Sequence, residues 1–267
     1  MILPDLLITW HESADYPIAR MLLKRHRDRF GKIIVYFSKH FREPIYSQFL
    51  KENLKDLGNI VFLDPIEYKY GVDDWRNVST NYMLGYSDSE IVCSVEQDWF
   101  SSHWEQLYED TMQALINSDV VGWYQPNGLY VHPAWWFMKR ESLEGTTKDF
   151  AAHDGYDHFG WITKDAHDKG MIIKTIQELG WACDSLDPLT TTAFHLGGVN
   201  QNYLEGLRPE YVYHRPDIFY VYNHWCRKAN VTQSPLFTDV SIKIEERLRG
   251  MFPDVDPETS PWAKFFV

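Results

Sequence analysis

The sequence predicts an α/β protein, a mostly parallel sheet with helices on both faces. Three observations carry this. Short strand-like runs alternate with helix-spaced segments through the first hundred residues. The runs are continuously apolar and β-branched or aromatic, as strands buried on both faces are. Glycines follow two of the helical segments, at Gly31 and Gly58, where a helix would stop.

The elements follow in order. Residues 6–10 form a first strand, and residues 16–29 a helix with Ile18, Met21 and Leu22 at helical spacing. Lys32-Ile33-Ile34-Val35-Tyr36-Phe37 is a second strand, 45–57 a second helix and 59–64 a third strand. A helix over 78–86 and a strand over 90–95 complete a βαβαβαβ series, in which ligands bind beyond the carboxyl ends of the strands. The second half is less regular: a helix over 104–117, strands over 120–124 and 135–138, and a helix over 159–169 ending at Gly170. From Asp184 onward Pro, Gly, Thr and Asn are frequent, and the last helix ends within 245–249. Pro253, Pro257 and Pro261 keep the tail from forming a long helix. We expect one domain over 1–205, divided into halves 1–100 and 101–205, with an extension over 206–267 packed on it.

The 267 residues carry 38 Asp and Glu against 26 Lys and Arg, a net charge of −12 that disfavours a protein coating nucleic acid or an anionic membrane. The basic run 24–29 reads as a solvated helix face, with peripheral membrane contact as its alternative. No stretch approaches the ~18 uncharged apolar residues of a membrane span. The amino-terminal residues lack the basic region of a signal peptide, and three cysteines without paired spacing suit a reducing compartment; the expected location is cytoplasmic. Eleven Trp suggest a thick core, a surface for stacking flat ligands, or both.

Glu96-Gln97-Asp98 directly follows the fourth strand. Two carboxylates one residue apart at a strand end are hard oxygen ligands suited to Mg2+ or Mn2+, which neutralise phosphate oxygens. The stretch from Asn81 through Ser89-Glu90 and the strand to Glu96-Gln97-Asp98 resembles the nucleotide-binding segment of GT-A glycosyltransferases, family 2 in particular. There an Asn opens a helix, a small residue plus Glu precedes a strand, and an Asp-x-Asp closes it; here Glu96 replaces the first Asp. Downstream, Asp154-Gly155-Tyr156-Asp157 before a helix ending in Gly resembles that family's acidic pair, whose second acid is the general base.

The resemblance implies a GT-A fold with a nucleotide-binding and an acceptor half, and a sugar transfer from a nucleoside-diphosphate sugar (UDP or GDP) to a hydroxyl of a carbohydrate or glycoconjugate. It assigns the base of an inverting displacement to Asp157, with Asp154 as competitor, and Mn2+ or Mg2+ to Asp98, Glu96 and His195, with His214 and His224 as rivals of His195. The donor would meet Thr9, Trp10, His11 and Glu12 after the first strand, Ser38 after the second and Asp64 after the third, besides Asn81, Glu96, Gln97 and Trp99. Trp135, Trp136, Tyr156 and Trp161 would face the acceptor. Two alternatives stand beside this: a nucleotidyltransferase or sugar-nucleotide enzyme on a similar sheet, and a non-catalytic carbohydrate-binding protein. The first would want a glycine-rich basic loop where Trp10-His11-Glu12-Ser13 stands; the second needs no metal carboxylates.

Overall fold

The structure is a computed structural model. It describes residues 2–10, 23, 26–37, 51–52, 54–64, 66, 75–96, 98–125, 130–153, 155–156, 158–183, 187–196, 216–228 and 235–266. The chain forms two compact units interleaved in sequence: residues 1–11, 25–96 and 105–181 make the first, and 12–24, 97–104 and 182–267 the second.

The first unit is built on a seven-stranded sheet. Its strands are β1 (Asp5–Trp10), β2 (Ile33–Phe37), β3 (Ile60–Leu63), β4 (Ile91–Val95), β6 (Val120–Gln125), β7 (Tyr130–Lys139) and β8 (Ile173–Thr175), in the order β3-β2-β1-β4-β7-β6-β8. β1 pairs parallel with β2 and β4, and β2 with β3. β7 is antiparallel to both β4 and β6, and β8 is parallel to β6. Only β7 therefore runs against the other six, so the sheet is mostly parallel, as expected. The carboxyl ends of β1 to β4 and β6 share one edge with the start of β7.

Among the described residues four helices flank the sheet: α1 (Trp75–Leu84), α2 (Trp104–Leu115, in this unit from Glu105 on), α3 (Arg140–Glu144) and α4 (Gly160–Asp168). Successive side chains of a strand point to opposite faces, and β7 shows which helix covers which. Trp135 and Phe137 face α2, where the Trp135 indole donates to Thr111 Oγ1 at 3.0 Å and Tyr108 meets Phe137 edge-on. Trp136 and Met138 join the opposite core with Met83 and Leu84 of α1 and Ile162 and Ala166 of α4. The three helix boundaries read from sequence, 78–86, 104–117 and 159–169, lie within three residues of α1, α2 and α4. Gly170, at φ 77°, ends α4 in the left-handed conformation that glycine adopts without steric cost.

Asp5 anchors the sheet edge away from the strands' carboxyl ends. Its buried carboxylate accepts bonds from Lys32 N (2.8 Å), Ser87 Oγ (2.7 Å) and Ser89 N (3.3 Å), and Arg140 donates to Ser87 Oγ and Ser89 O. A buried acid so fully bonded holds β1, β2 and the approach to β4 together.

β7 is longer than residues 135–138, because the run continues back through His132-Pro133. Its register with β6 breaks between Gly122 and Trp123, where Trp136 faces Gly122 and His132 faces Trp123. The bulge accommodates Pro133, which has no N–H to give a ladder. A Cβ on Gly122 would stand 2.4 Å from Trp135 O and 2.3 Å from Val131 Cγ1. Gly122→Ala is therefore expected to destabilise the protein by about 2–3 kcal/mol, because backbone cannot yield there as a side chain does; urea denaturation reads this directly.

The second unit holds a two-stranded antiparallel sheet, β5 (Trp99–Ser101) with β9 (Ala193–His195), and the helices α5 (Pro216–Lys228) and α6 (Pro235–Met251). Phe100, Phe194, Tyr222, Leu248, Phe265 and Phe266 meet in its core. The chain beyond 184 is thus more regular than composition suggested. α5 buries Ile218 through Asn223 and Cys226, and Glu245 of α6 takes ion pairs from Arg227 and Arg249. Among the described residues no helix is long and apolar enough to cross a membrane.

Candidate functional site

In the first unit the residues of interest gather at the carboxyl edge of the sheet. β4 ends at Val95, and the Glu96 N–H continues the ladder to Ala134 O at 3.1 Å. Glu96 is thereby placed just past the edge, its side chain partly buried, with Arg76 Nη1 of α1 3.9 Å from its Oε1. A ring nitrogen of His132 lies within 4.8 Å of a Glu96 carboxylate oxygen. His132 is buried edge-on against Trp123, and its Nδ1 accepts the Ala134 N–H at 3.1 Å. An imidazole that accepts at Nδ1 carries its proton on Nε2 when neutral, so His132 presents a donor. Sequence reading passed over His132, although a histidine inside an otherwise apolar strand was the available signal.

Thr9 and Trp10 close β1 at this edge, and Asp64 follows β3. Asp64 is exposed and takes an ion pair from Lys51 at 2.6 Å. Asn81 does not open a helix as the resemblance implied: it is the seventh residue of α1. Its Nδ2 donates to Asn77 Oδ1 (2.8 Å) and to Lys148 O (3.0 Å), while Asn77 Oδ1 also accepts the Phe150 N–H at 3.1 Å. The two asparagines of α1 thus fasten the segment 148–150. Asp165 of α4 fastens it from the other side by accepting the Thr147 N–H at 2.7 Å. Burial works against the Asp165 carboxylate, but the Thr147 amide and the Lys169 ammonium outweigh it and hold its pKa below the usual range. Asn77→Ala removes two accepted bonds and should cost about 1–2 kcal/mol, measured by urea denaturation.

This fastened segment leads into the acceptor region named from sequence. Asp149 Oδ1 accepts the Ala151 N–H at 3.0 Å, and its Oδ2 lies 2.7 Å from His153 Nε2. His153 and Tyr156 exchange both backbone bonds across Gly155. The Trp161 ring stands 5.0 Å from that of His153 and 6.1 Å from that of Tyr156. α4 begins at Gly160, after Phe159 at φ 62°. A non-glycine residue there is strained, and Phe159 is held by Trp136 and Phe150 at 4.9 and 5.0 Å between ring centres. The Asp149–His153 pair went unread in the sequence.

In the second unit Asp98 precedes β5, and its carbonyl accepts the Leu196 N–H at 2.9 Å. The β5–β9 register sets Trp99 opposite His195. It brings His195 Nε2 to 3.1 Å from Asp98 Oδ1, across 97 positions of sequence, both side chains about four-fifths buried. Two cis ligands on an octahedral ion at about 2.1 Å are about 3 Å apart, and a carboxylate oxygen beside an imidazole nitrogen suits Mn2+. The pair fits such an ion.

Three tryptophans assigned to ligands are core residues instead. Trp99 is 0% exposed, Trp135 2% and Trp136 0%, so their ring faces are already covered by protein. Tyr156 and Trp161 remain partly exposed. His11, Glu12, Ser38, Gln97, Asp154, Asp157 and the Trp10 side chain lie outside the described residues, as does His214. His224 is bonded between Glu245 and Glu258.

No family model matches the chain, and no curated protein matches it. Among solved structures it is similar to a mannosyltransferase from Pyrobaculum calidifontis in complex with GDP-Man and Mn2+, at 12% identity over 98% of this chain and 77% of that one, TM-score 0.49. It is similar to S. aureus TarS 1-349 at 13% identity over 95% and 72%, TM-score 0.47. A mycobacterial protein matches at 12% over 65% and 66%, TM-score 0.45. The chain's own strand order, six parallel strands and one reversed beneath helices on both faces, is that of a Rossmann-like α/β fold.

Proposed function

We propose that this protein transfers a glycosyl group from a UDP- or GDP-sugar to a hydroxyl of a carbohydrate or glycoconjugate, with inversion and with Mn2+ or Mg2+. The observation that supports the reading most is the Asp98–His195 pair, which follows the end of the central β4 strand by the acid-x-acid spacing of Glu96 and Asp98. In this reading Asp98 and His195 ligate the ion, and Glu96 is the first acid of the same acid-x-acid motif. The ion, when bound, neutralises the diphosphate and so stabilises the leaving group. Glu96 carries one more methylene than an aspartate, and Arg76 stands beside its carboxylate. The sugar acceptor meets the segment 149–161, where Tyr156 and Trp161 offer aromatic surface for a sugar ring.

The test is turnover: release of nucleoside diphosphate from GDP-mannose, UDP-glucose and UDP-N-acetylglucosamine, with Mn2+ or EDTA and an octyl glycoside acceptor. Metal-dependent release from at least one donor is expected. Release from none would contradict the reading, and sugar binding without turnover would point to the carbohydrate-binding alternative.

A further inference from the structure

The acceptor-side segment contains a carboxylate–imidazole dyad that the resemblance does not name. We infer that His153, oriented by Asp149, is the base that deprotonates the acceptor hydroxyl; this rests on the sugar-transfer reading above.

The geometry is that of an oriented imidazole. Both Asp149 oxygens are engaged, one by the Ala151 N–H and one by His153 Nε2 at 2.7 Å. A carboxylate at that distance fixes the proton on Nε2 and leaves the Nδ1 lone pair to accept another. Among the described residues no hydrogen bond to Nδ1 is present. The side chains of His153 and Asp149 are 39% and 32% exposed, so a hydroxyl can reach the ring without unfolding the segment. Trp161 and Tyr156 stand beside it as an aromatic wall suited to the apolar face of a sugar.

The dyad is also held in place. Asn77 binds Phe150 N, Asn81 binds Lys148 O and Asp165 binds Thr147 N, so three side chains from α1 and α4 fix the backbone on which Asp149 sits. The two-residue bridge between His153 and Tyr156 fixes the other partner. α1 begins and α4 begins at the carboxyl edge, because each leads back to a strand that starts at the opposite edge. The dyad therefore lies on the edge that Glu96 occupies. Fixed supports of this kind are what a proton-transfer group needs.

The step balances. The acceptor oxygen forms its bond to the anomeric carbon as its proton passes to His153 Nδ1. The bond from that carbon to the diphosphate oxygen breaks, and its electron pair leaves with the nucleoside diphosphate. The resulting imidazolium is stabilised by Asp149 through Nε2–H and later returns the proton to solvent. Asp149 is a positioning residue in this scheme.

The experiment measures nucleoside-diphosphate release from the three donors above, with Mn2+ and octyl glucoside, together with donor binding by thermal shift. His153→Gln is expected to lower kcat about 10²–10³-fold while leaving the donor-induced shift intact. Asp149→Asn, which frees the imidazole to rotate and change tautomer, should lower kcat with little change in donor KM. Free imidazole should restore part of the turnover of His153→Gly, an effect that a structural role would not give. His153→Gln turning over as the wild type, or a hundredfold loss in Asp157→Asn with none in His153→Gln, would overturn the assignment while leaving sugar transfer standing. A wild-type protein that binds and turns over no donor overturns both.

Discussion

Asp98→Asn is expected to lower nucleotide-sugar turnover by about 10²–10³-fold, the scale on which one element of leaving-group stabilisation contributes. The substitution is nearly isosteric. The amide can still bond His195 across 3.1 Å, and the Asp98 carbonyl that accepts Leu196 N–H is backbone. The β5–β9 pairing should therefore survive, and the unliganded melting temperature should stay close to that of the wild type. What disappears is the negative charge and the better metal ligand. Loss of turnover with an intact fold separates a metal ligand from a structural hydrogen bond. Equal loss of stability and activity would assign Asp98 to the fold instead.

Trp135→Ala is expected to have the largest effect on stability, about 3–5 kcal/mol, because it empties a filled site on the α2 face of the sheet. The indole packs against Phe137 at 4.9 Å and donates to Thr111 Oγ1, so its removal costs both apolar contact and a buried bond. A loss of that size is a large share of the 5–15 kcal/mol that holds a typical domain together. Urea denaturation of Trp135→Ala gives the magnitude. The milder Trp135→Phe separates core packing from an acceptor wall: a core residue changes stability and leaves acceptor KM alone, while an acceptor wall changes KM.

Much of the sheet was legible in the sequence because its strands are buried on both faces. Ile33 to Phe37 is buried at all five positions, and such a run leaves its mark as continuous β-branched and aromatic residues. Trp136 and its neighbours were visible as strand for the same reason, whereas the earlier part of β7 carries Pro133, which a bulge excuses and a regular ladder would not. α5 was hidden by its neighbours in sequence: Pro, Gly and Asn on either side dominate any average over the region, and Ile218 to Tyr222 are too uniformly apolar to show a helical period.

The site was legible where strand order alone determines position, at Glu96 just beyond β4. Elsewhere it depends on contacts that no local pattern encodes. Asp98 meets His195 only because β5 pairs with β9. Asp149 meets His153 at a spacing of four outside any helix, through a turn that the Asp149 side chain itself closes onto Ala151. Sequence reading also expected too much of the tryptophans: Trp99, Trp135 and Trp136 fill cores, whereas the partly exposed ring of Trp161 stands beside a polar pair.

The most direct test of the central claim is the melting temperature of wild type and Asp98→Asn with GDP-mannose, UDP-glucose and UDP-N-acetylglucosamine, each with Mn2+ and with EDTA. A donor at about a hundred times its Kd adds about 2.7 kcal/mol, which for a chain of this size is a rise of about 5 °C or more. A rise of that order with at least one donor, present with Mn2+, lost in EDTA and lost in Asp98→Asn, is the predicted result. No rise with any donor, or a rise indifferent to both the metal and Asp98, would contradict it.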